Sequence, residues 1–144
     1  MTKEDAGHYA KKHADHMQKN PAIEAALRQQ ASDLELPCAV AFKVAGDLDV
    51  APGDVGVTAD LLEMRLIKCQ LGLFGYRPEK QVVKPAEQVS EELEKAIKGA
   101  LDRGRLPCAS AWKIARDLGI RKMEVSSACE ALGIKVCSCQ LGAF

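Results

Sequence analysis

The strongest constraint on this chain is that it repeats itself. Leu36-Pro-Cys-Ala-Val-Ala-Phe-Lys-Val-Ala-Gly-Asp-Leu48 returns as Leu106-Pro-Cys-Ala-Ser-Ala-Trp-Lys-Ile-Ala-Arg-Asp-Leu118, and Cys69-Gln-Leu-Gly-Leu-Phe74 returns as Cys139-Gln-Leu-Gly-Ala-Phe144. Both matches have an offset of 70 residues, and 20–74 aligns on 90–144 without a gap. The chain therefore divides into a tail (1–19), copy one (20–74), a linker with two prolines (75–89) and copy two (90–144). Each copy is short for an independent core, which predicts that the copies pack together or that the protein dimerises.

Composition narrows what each copy can be. Apolar residues are 47% of the chain but aromatics only 4%, so the core must be built from Ala, Leu, Ile and Val, a mixture that favours helices. Charged residues are 28%, a globular balance. Twenty basic and twenty acidic side chains cancel to a formal +0, unlike a protein that merely coats nucleic acid or an acidic membrane. No apolar run is long enough to span a bilayer, and the first residues lack the apolar stretch of a secretion signal. The expected compartment is the cytoplasm, where six cysteines are thiols or metal ligands rather than disulfides.

Within copy two, Leu93, Ala96, Ile97, Ala100 and Leu101 recur at helical spacing. Ser90 and its counterpart Asn20 read as N-caps. After a break at 103–107, a second helix places Ala111, Ile114, Ala115 and Leu118 on one face and stops at Gly119. A third runs from about Glu124 to Leu132, and 134–139 alternates like a short strand. Ala115, Gly119 and Val125 have the spacing of a small crossing residue, a left-handed turn residue and a buried β-branched residue. Copy one offers Ala45, Asp49 and Val55, with Asp replacing the turn glycine. The expected fold is mainly α, with two tandem three-helix helix-turn-helix domains, each with a short strand or partial wing. Residues 111–134, and less closely 41–67, resemble the helix-turn-helix of bacterial and archaeal transcription regulators. Gly7-His-Tyr-Ala-Lys-Lys-His13 and the repeated Cys-Gln-Leu-Gly-x-Phe motif resemble a family of small proteins from anaerobic bacteria, some labelled molybdate-responsive regulators. No segment is left over for the oxyanion-binding domains those regulators use, so molybdate sensing is not expected.

The resemblance implies that the third helix of each copy reads the major groove. In copy two, Arg121, Lys122, Ser126 and Ser127, with Glu130, are expected to point outward, and Lys113, Arg116 and Lys135 to reach phosphate. In copy one the same places hold Ala51, Pro52, Gly56, Val57 and Asp60, with Asp54 and Glu63 nearby, and those carboxylates would repel phosphate. Copy one has four basic against eight acidic residues, a net of −4, and copy two nine against seven, a net of +2.

The cysteines Cys38, Cys108, Cys69 and Cys139 pair by repeat position and are weak metal candidates, because no Cys-x-x-Cys occurs. Core packing is the expectation, with Cys108 at a helix start as a redox-sensor candidate. His8, His13 and His16 lie in a tail expected to be a solvated basic arm. No phosphate-cradling loop and no convincing nucleophile occur, so no enzyme and no cofactor is expected. The functional expectation is a transcriptional regulator, with copy two on double-stranded DNA and copy one serving dimerisation or a protein partner. The alternative is a protein-interaction adaptor that does not bind DNA, possibly metal- or redox-sensing through its cysteines.

Overall fold

A computed structural model of the chain describes residues 9–13 and 18–144, with only the backbone of Lys12. The protein is mainly helical, and its chain forms two compact units: residues 1–69 with 140–144, and residues 70–139. Among the described residues no helix is long and apolar enough to cross a membrane.

The first unit opens with a short 3-10 helix, Tyr9–Lys12. Helix α1 (Pro21–Gln30) follows, then strand β1 (Glu35–Pro37), α2 (Cys38–Leu48), α3 (Pro52–Leu61) and strand β2 (Arg65–Ile67). The second unit repeats the series as α4 (Glu91–Gly99), β3 (Leu106–Pro107), α5 (Cys108–Leu118), α6 (Lys122–Leu132) and β4 (Val136–Cys137). Local chemistry sets these limits. The Asn20 side chain accepts from the backbone N–H groups of Ala22 and Ile23 at 3.0 and 3.2 Å, and Ser90 accepts from Leu93 at 3.2 Å. Each supplies a partner to N–H groups that the helix itself leaves over. Pro37 and Pro107 cap α2 and α5 from extended backbone, where a missing N–H costs nothing. Helices α2 and α5 both end on a left-handed residue, Asp49 (φ 53°) and Gly119 (φ 67°). Aspartate therefore does in copy one what glycine does in copy two.

Each unit also holds one pair of very short parallel strands, with Leu36 opposite Leu66 and Leu106 opposite Val136. The strand after the third helix was expected. Its partner was not, because residues 106–107 read as the break before a helix. One strand residue then a proline is too little chain for a periodicity to show. The cores are aliphatic: Ile23, Leu27, Leu36, Ala41 and Val55 in the first unit, and Ile97, Leu106, Ala111 and Val125 in the second, have no exposed surface.

The two units do not follow the repeat boundaries at their ends. The repeated Cys-Gln-Leu-Gly-x-Phe segments are exchanged: residues 70–74 belong with α6, and residues 140–144 belong with α3. Leu71 and Leu141 are both buried. The 75–89 linker also belongs to the second unit, where Val83 is buried and its N–H bonds to the Gly72 carbonyl at 3.1 Å.

Candidate binding face on the third helix of each unit

Five residues on or just before α6 were expected to face outward, and the placement of the four expected readers among them decides what this helix can contact; the fifth, Glu130, is exposed. Arg121, the residue before the helix, is 86% exposed, with its Nε 3.0 Å from Glu124 Oε1. Lys122 is half-buried: its Nζ donates to Gln70 Oε1 at 3.0 Å and sits 4.1 Å above the Trp112 ring centroid. Hydrogen bonding and the face of the indole both hold the ammonium in place. Ser126 is fully buried and does not face solvent at all. Its hydroxyl donates to the Leu71 carbonyl at 2.6 Å, with the Met123 carbonyl at 3.2 Å. Ser127 is half-buried, and its carbonyl accepts from the backbone N–H of Ala86 at 3.0 Å. At Lys122, Ser126 and Ser127 the outward side of α6 is thus engaged by two stretches of the same unit, one at 70–72 and one at 86, while Arg121 and Glu130 stay exposed.

Ser126 differs from its expected outward placement because helical spacing relates it only to the core of its own three helices. Spacing carries no information about a segment arriving from elsewhere in the chain. The residues expected to touch phosphate stand apart from this. Lys113 is exposed and pairs with Asp117 at 2.6 Å, a hydrogen bond that holds the Asp117 carboxyl below its usual range. Arg116 and Lys135 are exposed.

Helix α3 is covered in its own way. At Gly56, the counterpart of Ser126, an added Cβ would overlap the carbonyl oxygen of Leu141 and lie 2.7 Å from its carbonyl carbon. The same segment therefore seats on both helices, on a hydrogen-bonding serine in one and on bare glycine backbone in the other. Beyond it, Asp60 is buried and bonds to His13 Nε2 at 2.8 Å. Glu63, held in the left-handed conformation at φ 56°, accepts from the backbone N–H of Tyr9 at 2.8 Å and of Ala10 at 2.9 Å. A carboxylate that takes two N–H groups at the start of a short helix satisfies donors the helix leaves unpaired and favours the local dipole. Tyr9 is buried as well.

These contacts correct two expectations. Asp60 and Glu63 are not a bare acidic face: they dock the N-terminal segment. Within that segment, residues 9–13 dock through Tyr9, Ala10 and His13 rather than forming a solvated arm, while residues 18–20 are exposed. His8 and His16 lie outside the described residues. Lys19 reaches Glu24 at 4.0 Å.

No protein-family model, curated protein or solved structure matches this chain.

The cysteines add packing: Cys38, Cys69, Cys108 and Cys129 are buried, Cys137 and Cys139 half-buried, and none of the six is in a disulfide. Among the described residues no group of three or more His, Cys, Asp or Glu side chains is placed to hold a metal. Burial, with the negative charge of Glu130 adding to it, pushes the Cys129 thiol up to about 11. A thiol so shifted is a poor nucleophile near neutral pH.

Proposed function

We propose that this protein is a protein-interaction adaptor built on two helix-turn-helix, winged-helix-like units, whose third helices receive chain segments rather than DNA bases. The observation that carries the reading is the occupancy of those helices. Lys122, Ser126 and Ser127 are engaged by residues 70, 71 and 86, while Asp60 and Glu63 are engaged by residues 9–13. Base readout requires side chains at the start of the helix to be free to meet base edges. Of the four expected readers only Arg121 stands clear of the covering segments. Glu63, by contrast, recognises backbone N–H groups, which any helical segment offers at its first turn, and Asp60 adds a selective contact for a histidine. The protein belongs in the cytoplasm on this reading, in keeping with six thiols.

Removing residues 1–13 and supplying a synthetic peptide of that sequence in trans tests the proposal. Saturable binding that is lost with Glu63→Gln and Asp60→Asn is the expected outcome. A shortened chain that stays folded and ignores the peptide refutes it.

A second reading, a DNA-binding transcriptional regulator, keeps support from the exposed cations Arg103, Arg105, Arg116 and Lys135 of the second unit. On that reading contact is made to phosphate, with Arg121 alone near base edges.

A further inference from the structure

The turn before β1 and the turn before β3 occupy the same place in the two units and carry opposite charge. In the first unit the turn is Ser32-Asp33-Leu34-Glu35, closed by the Glu35 N–H on the Ser32 carbonyl at 2.8 Å and the reverse bond at 3.2 Å. In the second it is Asp102-Arg103-Gly104-Arg105, closed by the same two bonds at 3.0 and 2.7 Å. Both central residues of each turn have positive φ: 53° and 61° for Asp33 and Leu34, 52° and 81° for Arg103 and Gly104. Two-residue turns of this kind favour glycine at the second central place, which the second unit has.

Leu34 breaks that rule without a local reward. It is a branched apolar residue in a left-handed conformation, and its side chain is 52% exposed rather than packed. Strain at an exposed residue calls for a contact outside the unit that explains it. The flanks of Leu34 are two carboxylates, the exposed Asp33 and the half-buried Glu35, which already has a partner, and Arg65 lies beside it through its N–H on the Leu34 carbonyl at 2.7 Å, leaving a local charge of −1. The other turn is its complement. Gly104 is flat, with open space where a Cβ would stand. Arg103 and Arg105 flank it, and Lys135 lies next to Arg105 because its carbonyl accepts from Leu106 at 2.9 Å. With Asp102 included the local charge is +2, and among the described residues Arg103, Arg105 and Lys135 take part in no ion pair.

We propose that the turn at 32–35 of one copy docks on the turn at 102–105 and Lys135 of a second copy, the Leu34 side chain lying across Gly104 and the exposed Asp33 carboxylate meeting the guanidinium groups. The surface shares no residue with the contacts described on the third helices, and the proposal does not rest on the adaptor reading. Two turns cover far less than a standard interface, so the association is weak and salt-sensitive. A copy that both gives and receives a turn forms either a reciprocal dimer or an open chain.

Sedimentation velocity across a protein concentration series, at about 0.01 M and about 1 M salt, reads the association directly. Self-association at low salt that weakens roughly tenfold or more at high salt is expected. R103E/R105E and D33R/E35R should each remove it, and the chain carrying all four changes should regain it, because the charges are then exchanged rather than lost. Leu34→Gly should raise the urea midpoint by relieving the turn and still weaken association, so loss of folding cannot account for the result. A wild-type chain that stays monomeric at low salt overturns the proposal, as does a four-fold variant that fails to regain association while folded. Association unchanged in R103E/R105E also overturns it. If the basic turn instead takes random duplex DNA and shows no self-association, its partner is nucleic acid and the proposal is wrong.

Discussion

Replacing Gly56 by alanine should dislodge the C-terminal segment of the chain, and the size of the effect follows from the geometry. The new Cβ would overlap Leu141 O and stand 2.7 and 3.1 Å from Leu141 C and Cα, all of them backbone atoms that no rotamer change can move. Either α3 and the segment spread apart, an overpacking cost of about 1–3 kcal/mol, or the segment leaves. Leaving exposes Leu141, now 2% exposed, for a loss of about 1.5–3 kcal/mol. Alanine in a helix interior returns about 1 kcal/mol over glycine, so the net destabilisation is about 0–2 kcal/mol. Gly46, in α2, is the control: its added Cβ meets nothing within 4 Å, and Gly46→Ala should stabilise by about 0.5–1 kcal/mol. Urea unfolding of the two variants side by side measures the gap, expected at about 0.5–3 kcal/mol with Gly46→Ala the more stable. Carboxypeptidase trimming of residues 140–144 should accelerate only in Gly56→Ala. If both variants gain stability equally, Leu141 is not seated on α3 and the exchanged-segment account fails.

Other expectations follow from single contacts. Ser126→Ala leaves the Leu71 carbonyl without its 2.6 Å donor and should cost about 1–3 kcal/mol in urea unfolding; a neutral result would mean the segment at 70–72 is not held there. Asp60→Asn together with Glu63→Gln should speed tryptic cleavage at Lys11 and Lys12 several-fold while the far-ultraviolet dichroism stays constant. The Cys129 thiol is raised from an ordinary 9.0 to about 11, so the folded state holds that proton more tightly than the unfolded chain does. Its share of stability is complete below pH 9 and is lost as the pH climbs through about 11, a ceiling of about 2–3 kcal/mol. Cys129→Ala should flatten that part of the alkaline stability curve, and native Cys129 should alkylate more slowly than Cys137 or Cys139. Lys113→Met should let the Asp117 carboxyl titrate closer to its usual range, visible by NMR, with unfolding unchanged because both side chains are exposed.

Much of the local structure was legible because it is written in short-range chemistry. Asn20 and Ser90 cap helices, Asp49 and Gly119 end them in left-handed backbone, and Val55 and Val125 are buried, as their spacing implies. What was not legible is long-range. The motif Cys-Gln-Leu-Gly-x-Phe was visible as a repeat, yet nothing local says that it leaves its own copy. The signal was indirect: Leu71 and Leu141 are apolar residues beyond the last element of each copy, with no helix or strand of their own to bury them. Glu63 shows the same limit. Its repeat counterpart is Gly133, a residue suited to left-handed backbone, and an acid in that place hinted at a compensating contact. The partner, the N–H groups of residues 9 and 10, lies more than fifty residues away.

The most direct test of the central claim, that the outward side of α6 is occupied and does not read bases, is a salt titration of binding to random and then selected duplex DNA, run with the wild-type chain and with R121A/K122A. The account predicts that no sequence-selective affinity emerges, and that any weak, salt-sensitive binding falls only modestly and equally on all sequences in R121A/K122A, because most of it comes from other exposed cations. Sequence-selective binding that the double change abolishes while the fold is kept would contradict it, and would return α6 to the major groove.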